Sequence, residues 1–84
     1  MPKAHVIVYS RPGCHLCDDA KNAMQAAGCS ESFTFEEINI ETSRDLLVKY
    51  QFDIPVVTIN GVEAFRHRVE VERFKELVLE AAGE

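Results

Sequence analysis

An α/β fold, a four-stranded mixed sheet with helices on both faces, is what this chain predicts, and three observations carry it. Short β-branched runs alternate with helix-period apolar stripes in the order β-α-β-α-β-β-α. The first strand, helix and second strand form a βαβ unit, which requires a parallel pair joined by a right-handed crossover. An Asn-Gly pair late in the chain then signals a hairpin, so the sheet is mixed.

The elements follow in order. His5-Val6-Ile7-Val8-Tyr9 is a β-branched run stopped by Ser10-Arg11-Pro12-Gly13, the pattern of a central strand buried on both faces. Leu16, Ala20, Ala23, Met24 and Ala27 recur at helical spacing, and Gly28 stands where a helix C-terminus favours glycine. Phe33 to Ile40 is the second strand, with Glu36 and Glu37 indicating partial exposure to solvent. Thr42 or Ser43 caps a short helix that turns Leu46, Leu47 and Tyr50 inward. Asp53 to Ile59 forms the third strand, Asn60-Gly61 the turn, and Val62 to Phe65 an antiparallel fourth. Val71, Phe74, Leu77, Val78 and Ala81 mark the last amphipathic helix. Met24 and the phenylalanines are core positions on this reading.

Eighty-four residues give room for one domain, expected to run from 1 to 84 without repeat or linker. Fourteen acidic residues against nine basic ones leave a net charge of −5, which argues against a nucleic-acid binder. Apolar runs reach only the four residues Val6 to Tyr9, so neither a membrane span nor an export signal is expected. The expected address is the reducing cytoplasm, and the expected state a monomer.

Three cysteines remain to be explained. Cys14 and Cys17 form a C-x-x-C at the join of the first strand and helix, and Cys29 stands alone in a polar loop. A Cys14–Cys17 bond closes too short a loop to act as a staple, so the pair is better suited to reaction. A thiol at a helix N-terminus meets the orphan N–H groups and the positive end of the dipole, which favour thiolate. A cysteine three positions on lies on the same face, within reach of a disulfide. Arg11 and His15 add positive charge nearby, while Asp18 and Asp19 oppose a further negative one. A zinc site needs four ligands, and His5, His67 and Cys29 offer no second paired spacing, so no metal is expected. Cys29 reads as an incidental thiol, with a second resolving thiol or a glutathionylation site as its alternatives.

The run Tyr9-Ser10-Arg11-Pro12-Gly13-Cys14-His15-Leu16-Cys17, followed by Ile54-Pro55 and Asn60-Gly61, resembles the glutaredoxins of the thioredoxin-fold superfamily. It is most similar to a small branch with a C-H-L-C active site. The resemblance implies a thioredoxin-like, glutaredoxin-type fold over nearly the whole chain. It implies Cys14 as nucleophile and Cys17 as resolving thiol, together the redox-active disulfide. It implies a cis Pro55, leaving the main chain of Ile54 open to substrate, and places Arg11 where the family carries a basic residue. Tyr9, Arg11, His15, Ile54 and Pro55 are thus the candidate substrate-binding residues. One departure stands out. Phe65-Arg66-His67-Arg68 occupies the place of the Gly-Gly pair with which glutathione-using members bind the tripeptide, although Arg66 and Arg68 offer charge to carboxylates.

The expected function is reduction of protein or small-molecule disulfides by a Cys14/Cys17 dithiol. No bound cofactor is expected, and glutathione or a thioredoxin-type system would supply electrons. Two alternatives stay open: a glutathione-dependent iron–sulfur carrier holding its cluster through Cys14, and a thioredoxin-fold adaptor without redox turnover.

Overall fold

Period-two alternation along β1 (Ala4–Ser10) decides how the layers assemble in the computed structural model, which describes residues 3–83. Ala4, Val6 and Val8 turn to one face, with Val57 and Ile59 of β3 (Val56–Ile59). There they meet Ala20, Met24 and Ala27 at α1 (His15–Ala26), and Phe74 and Val78 of α3 (Val71–Ala82). Tyr9 and Val56 turn to the other face. They pack with Ile40, Ile54 and the inner side of α2 (Arg44–Tyr50), which presents Leu46, Leu47 and Tyr50. Helices therefore cover both faces.

Strand β1 runs parallel to β2 (Phe33–Asn39) and antiparallel to β3, and β3 pairs antiparallel with β4 (Val62–Arg66). The order β2-β1-β3-β4 leaves β2 on an edge, and its two glutamates are exposed as the composition implies. The hairpin turns on Asn60 (φ 52°) and Gly61 (φ 83°), the two positive values its tight turn needs. Asn60 also ties the hairpin to the sheet centre: its Oδ1 accepts the His5 N–H at 2.8 Å. Phe74, fully buried, meets the Phe33 ring edge-on at 5.3 Å and the Phe65 ring at 6.4 Å.

Four details differ from the sequence reading. Phe35, on edge strand β2, and Phe52, just past α2, are 47% and 83% exposed and are not core. Strand β3 starts at Val56 rather than Asp53, because Pro55 has no N–H for a ladder and the Asp53 N–H is held by the Tyr50 carbonyl at 2.8 Å. Strand β2 ends at Asn39, whose side chain accepts the Glu41 N–H and starts a 3-10 turn over Ile40–Thr42. Leu16 does not join the buried stripe of α1 and stays 49% exposed. Cys17, one position further round, takes the inward place in the first turn, three residues before Ala20.

Candidate active site

Gly13 adopts φ +78°, a conformation glycine takes without cost, and swings the chain from β1 into α1. Cys14 is then the helix N-cap: extended at φ −90°, ψ 107°, with its sulfur accepting the Cys17 N–H at 3.2 Å. Serine or aspartate commonly fills this position with an oxygen acceptor. Here a sulfur does so, which fixes it over the positive end of the helix.

The two thiols differ in access. Cys14 is half-buried and Cys17 is 2% exposed, and both are free. Burial pushes the Cys17 thiol up from 9.0 to about 12. The Cys14 side chain adds to the rise, as does the negative charge of Glu37, and the Arg11 amide opposes it. Cys14 is thus the sulfur a substrate meets, with Cys17 protonated behind it.

A cleft of about 340 Å³ opens beside the pair, with Arg11, Lys21 and Glu37 on its walls. Its charges are matched within the chain. The Arg11 guanidinium donates to Glu41 at 2.8 Å, and Lys21 Nζ lies 3.1 Å from Glu37 and 3.6 Å from Asp18. The Ser10 hydroxyl donates to Glu37 at 2.8 Å, and it and Lys21 hold that carboxyl below its usual range.

Of the residues singled out in the sequence, the cleft brings together Arg11, Cys14 and Cys17. His15 is exposed at the first position of α1. The Tyr9 ring packs on Tyr50 with centroids 4.8 Å apart, and Ile54 belongs to the same apolar cluster. Pro55 is buried behind a cis Ile54–Pro55 bond, the isomer the resemblance implies. Cys29 lies in the main core, where burial raises its thiol as well.

Where the family's glycines would stand, His67 holds a positive φ of 68°, and its N–H donates to the Pro55 carbonyl at 2.9 Å. Arg66 is spent on Glu63 and on Asp53, 3.0 Å away. The segment thus keeps a glycine-like backbone turn but fills the space with side chains, of which Arg66 is tied to its own chain. Lys21 and Glu37 are cleft residues the sequence reading missed. Lys21 had a signal, being four residues after Cys17 and on the same helix face. Glu37 had none, because only the register Val8↔Glu37 reveals which face it shares.

The model of the glutaredoxin-like domain (DUF836) matches residues 5–79. The chain belongs to the glutaredoxin-like family. A glutaredoxin-like protein of Dictyostelium discoideum is 34% identical over 71 residues, covering 77% of this chain; the chain spans 66% of that relative's length. Among solved structures, a protein from X. campestris superposes with TM-score 0.75 at 24% identity, over 90% of this chain and 97% of that one. A protein from Nitrosomonas europaea gives 0.78 at 22%, over 93% and 94%. A thioredoxin variant from Halobacterium salinarum gives 0.65 at 12%, over 96% and 76%, which fixes the architecture as the thioredoxin fold. In this glutaredoxin-like chain the C-x-x-C therefore lies at the strand–helix junction of a thioredoxin fold, with its two thiols one helical turn apart. Among the described residues, no three His, Cys, Asp or Glu side chains converge to hold a metal ion. No helix is long and apolar enough to cross a membrane.

Proposed function

We propose that this glutaredoxin-like protein is a thiol–disulfide oxidoreductase acting on protein or small-molecule disulfides. The observation that carries the reading is the asymmetry of the pair: Cys14 half-buried at the N-cap of α1, Cys17 shielded one turn below with its amide on the Cys14 sulfur.

The Cys14 thiolate attacks one sulfur of the substrate disulfide. A Cys14–substrate bond forms, the substrate S–S bond breaks, and the first substrate thiolate leaves with the electron pair. Cys17 then loses its proton and attacks Cys14 Sγ. The Cys14–Cys17 bond forms and the second substrate thiol is released. Two electrons have passed from the dithiol to the substrate. Proximity and thiol ionisation suffice, so no bound cofactor is needed.

The main-chain N–H and C=O of Ile54 enter no hydrogen bond among the described residues, which supports docking of an extended substrate there. Tyr9, Arg11, His15 and Pro55 are the other residues we assign to substrate binding. A thiol donor must return two electrons, either glutathione or a thioredoxin-type protein. We place the work in the reducing cytoplasm and the active form as a monomer.

Reduction of insulin or of 2-hydroxyethyl disulfide tests the assignment. Cys14→Ser abolishes turnover, and Cys17→Ser accumulates a Cys14–substrate mixed disulfide visible by mass. Undiminished reduction by the Cys14→Ser protein overturns the proposal.

A further inference from the structure

The cleft holds a charge pair that disulfide exchange does not obviously need. Glu37 reaches it from β2 and Lys21 from α1, four residues beyond Cys17. Their contacts are closely built: Lys21 Nζ lies 3.1 and 3.3 Å from the two carboxylate oxygens, and the Ser10 hydroxyl donates to one of them at 2.8 Å. Side-chain exposures of 33% and 38% leave the pair only partly screened by solvent. The pair closes on the wall that also carries both cysteines.

Other charged groups around Cys17 are accounted for. On α1, Asp18 has its side chain 68% exposed, and on the preceding turn Arg11 is directed to Glu41. Cys14 caps the helix, and β2 contributes Glu37 alone to the cleft's charged groups. The cleft wall that carries Cys17 thus holds the Glu37 and Asp18 carboxylates, with the Lys21 ammonium paired to both and closer to Glu37.

We propose that Glu37 and Lys21 are opposed positioning residues acting through Cys17: the carboxylate restrains its attack on the Cys14 mixed disulfide, and the ammonium relieves that restraint. This rests on the dithiol reading above. The reason is electrostatic. Attack requires a negative sulfur, and a fixed negative charge on the same wall disfavours it while a fixed positive one favours it. Ser10 and Lys21 lower the Glu37 carboxyl, so near neutral pH it is a fixed negative charge and a weak base toward Cys17. Burial and Cys14 do most to raise the Cys17 thiol, and the Glu37 charge adds to them.

The sizes follow from thiol reactivity. Each tenfold gain in thiolate is worth only about three- to fourfold in rate, because nucleophilicity falls as a thiol becomes more acidic. A charge change that moved the Cys17 thiolate fraction tenfold would move the attack about threefold, so removing Glu37 or Lys21 shifts it in opposite directions by up to about that factor.

The Ellman disulfide, 5,5′-dithiobis(2-nitrobenzoate), reads both steps. Attack by Cys14 releases one nitrothiobenzoate and leaves the other on Cys14. Attack by Cys17 forms the Cys14–Cys17 bond and expels the second with its electron pair, so one dithiol delivers two electrons and two coloured thiolates. The reduced protein is mixed with the reagent at pH 7 in low salt, and the second release is followed by stopped flow. Glu37→Gln quickens the second release by up to about threefold, Lys21→Gln slows it by up to about threefold, and the double variant returns close to the parent. Glu37→Asp, which keeps the charge, stays nearer the parent than Glu37→Gln does. The same ordering holds across pH 6 to 9.

A slower second release in Glu37→Gln overturns the proposal and makes the carboxylate a proton acceptor instead. Equal rates in all variants overturn it too. If Glu37→Gln does not fold, Lys21→Gln alone carries the test, and a second release no slower than the parent's refutes the proposal. Failure of the parent itself to release a second thiolate speaks against the dithiol mechanism and not against the charge pair alone.

Discussion

Iodoacetamide applied to the native reduced protein at pH 8 and at pH 10 separates the two cysteines by a margin the structure sets. The Cys17 thiol stands at about 12 against 9.0 for an ordinary cysteine, chiefly through burial. At pH 8 its thiolate fraction is therefore about 10⁻⁴, against about 10⁻¹ for a free cysteine in an unstructured peptide, a deficit of roughly a thousandfold. The greater nucleophilicity of a less acidic thiolate returns about 20-fold, from a Brønsted slope near 0.45. Cys17 should thus be alkylated about 50-fold more slowly than the peptide, before its 2% exposure adds steric protection. Moving to pH 10 raises the Cys17 rate about a hundredfold and the peptide rate only about tenfold, since the peptide thiol is then mostly ionised. Digestion and mass spectrometry assign the modified cysteine at each time point. Alkylation of Cys17 at pH 8 within a few-fold of the peptide would falsify the reasoning, because the thiol would then be neither buried nor shifted.

The remaining predictions concern stability. The Cys17 and Lys21 protons are both held more tightly in the folded chain, so their stabilisation is complete below the unfolded values and lost as pH rises through the folded ones. Urea midpoints should therefore fall between about pH 9 and 12, and less steeply in Cys17→Ala; a midpoint that rises over that range contradicts the assignment. Phe74→Ala removes the ring that Phe33 and Phe65 enclose, and urea unfolding should show a loss of about 3–5 kcal/mol, with less than about 1 kcal/mol marking the site as able to collapse.

Much of the fold was legible because its signals are local. The stripe ending in Gly28, the Asn60-Gly61 turn and the β-branched run of β1 each state their own conformation. Pro55 was legible as a strand boundary too, yet Asp53 and Ile54 read as strand because their apolar neighbours continue past it. Sheet order was not legible: placing β3 beside β1 depends on which edge buries Val57 and Ile59, a choice made by α1 and α3 together. Leu16 misled for a related reason. Helical spacing gives a stripe about a third of the circumference wide, and Cys17 lay within that width with less bulk to bury.

The site divides along the same line. Cys14 and Cys17 were legible because their spacing and their place before a helix are sequence facts. Glu37 was not, since its place in the cleft comes from the parallel register Val8↔Glu37, which joins residues 29 apart in the chain. Nor did the sequence show that Arg66, a possible carboxylate ligand by composition, is occupied by Asp53 and Glu63.

Redox equilibration of the purified protein in graded thiol–disulfide buffers, quenched and read by mass, tests the central claim most directly. The account predicts loss of two hydrogens in a single step, mapped to Cys14–Cys17 with Cys29 still reduced. The midpoint should fall between about −180 and −270 mV, the range of working thiol carriers. A pair that stays reduced throughout, or that yields only a stable mixed adduct with the buffer thiol, contradicts it.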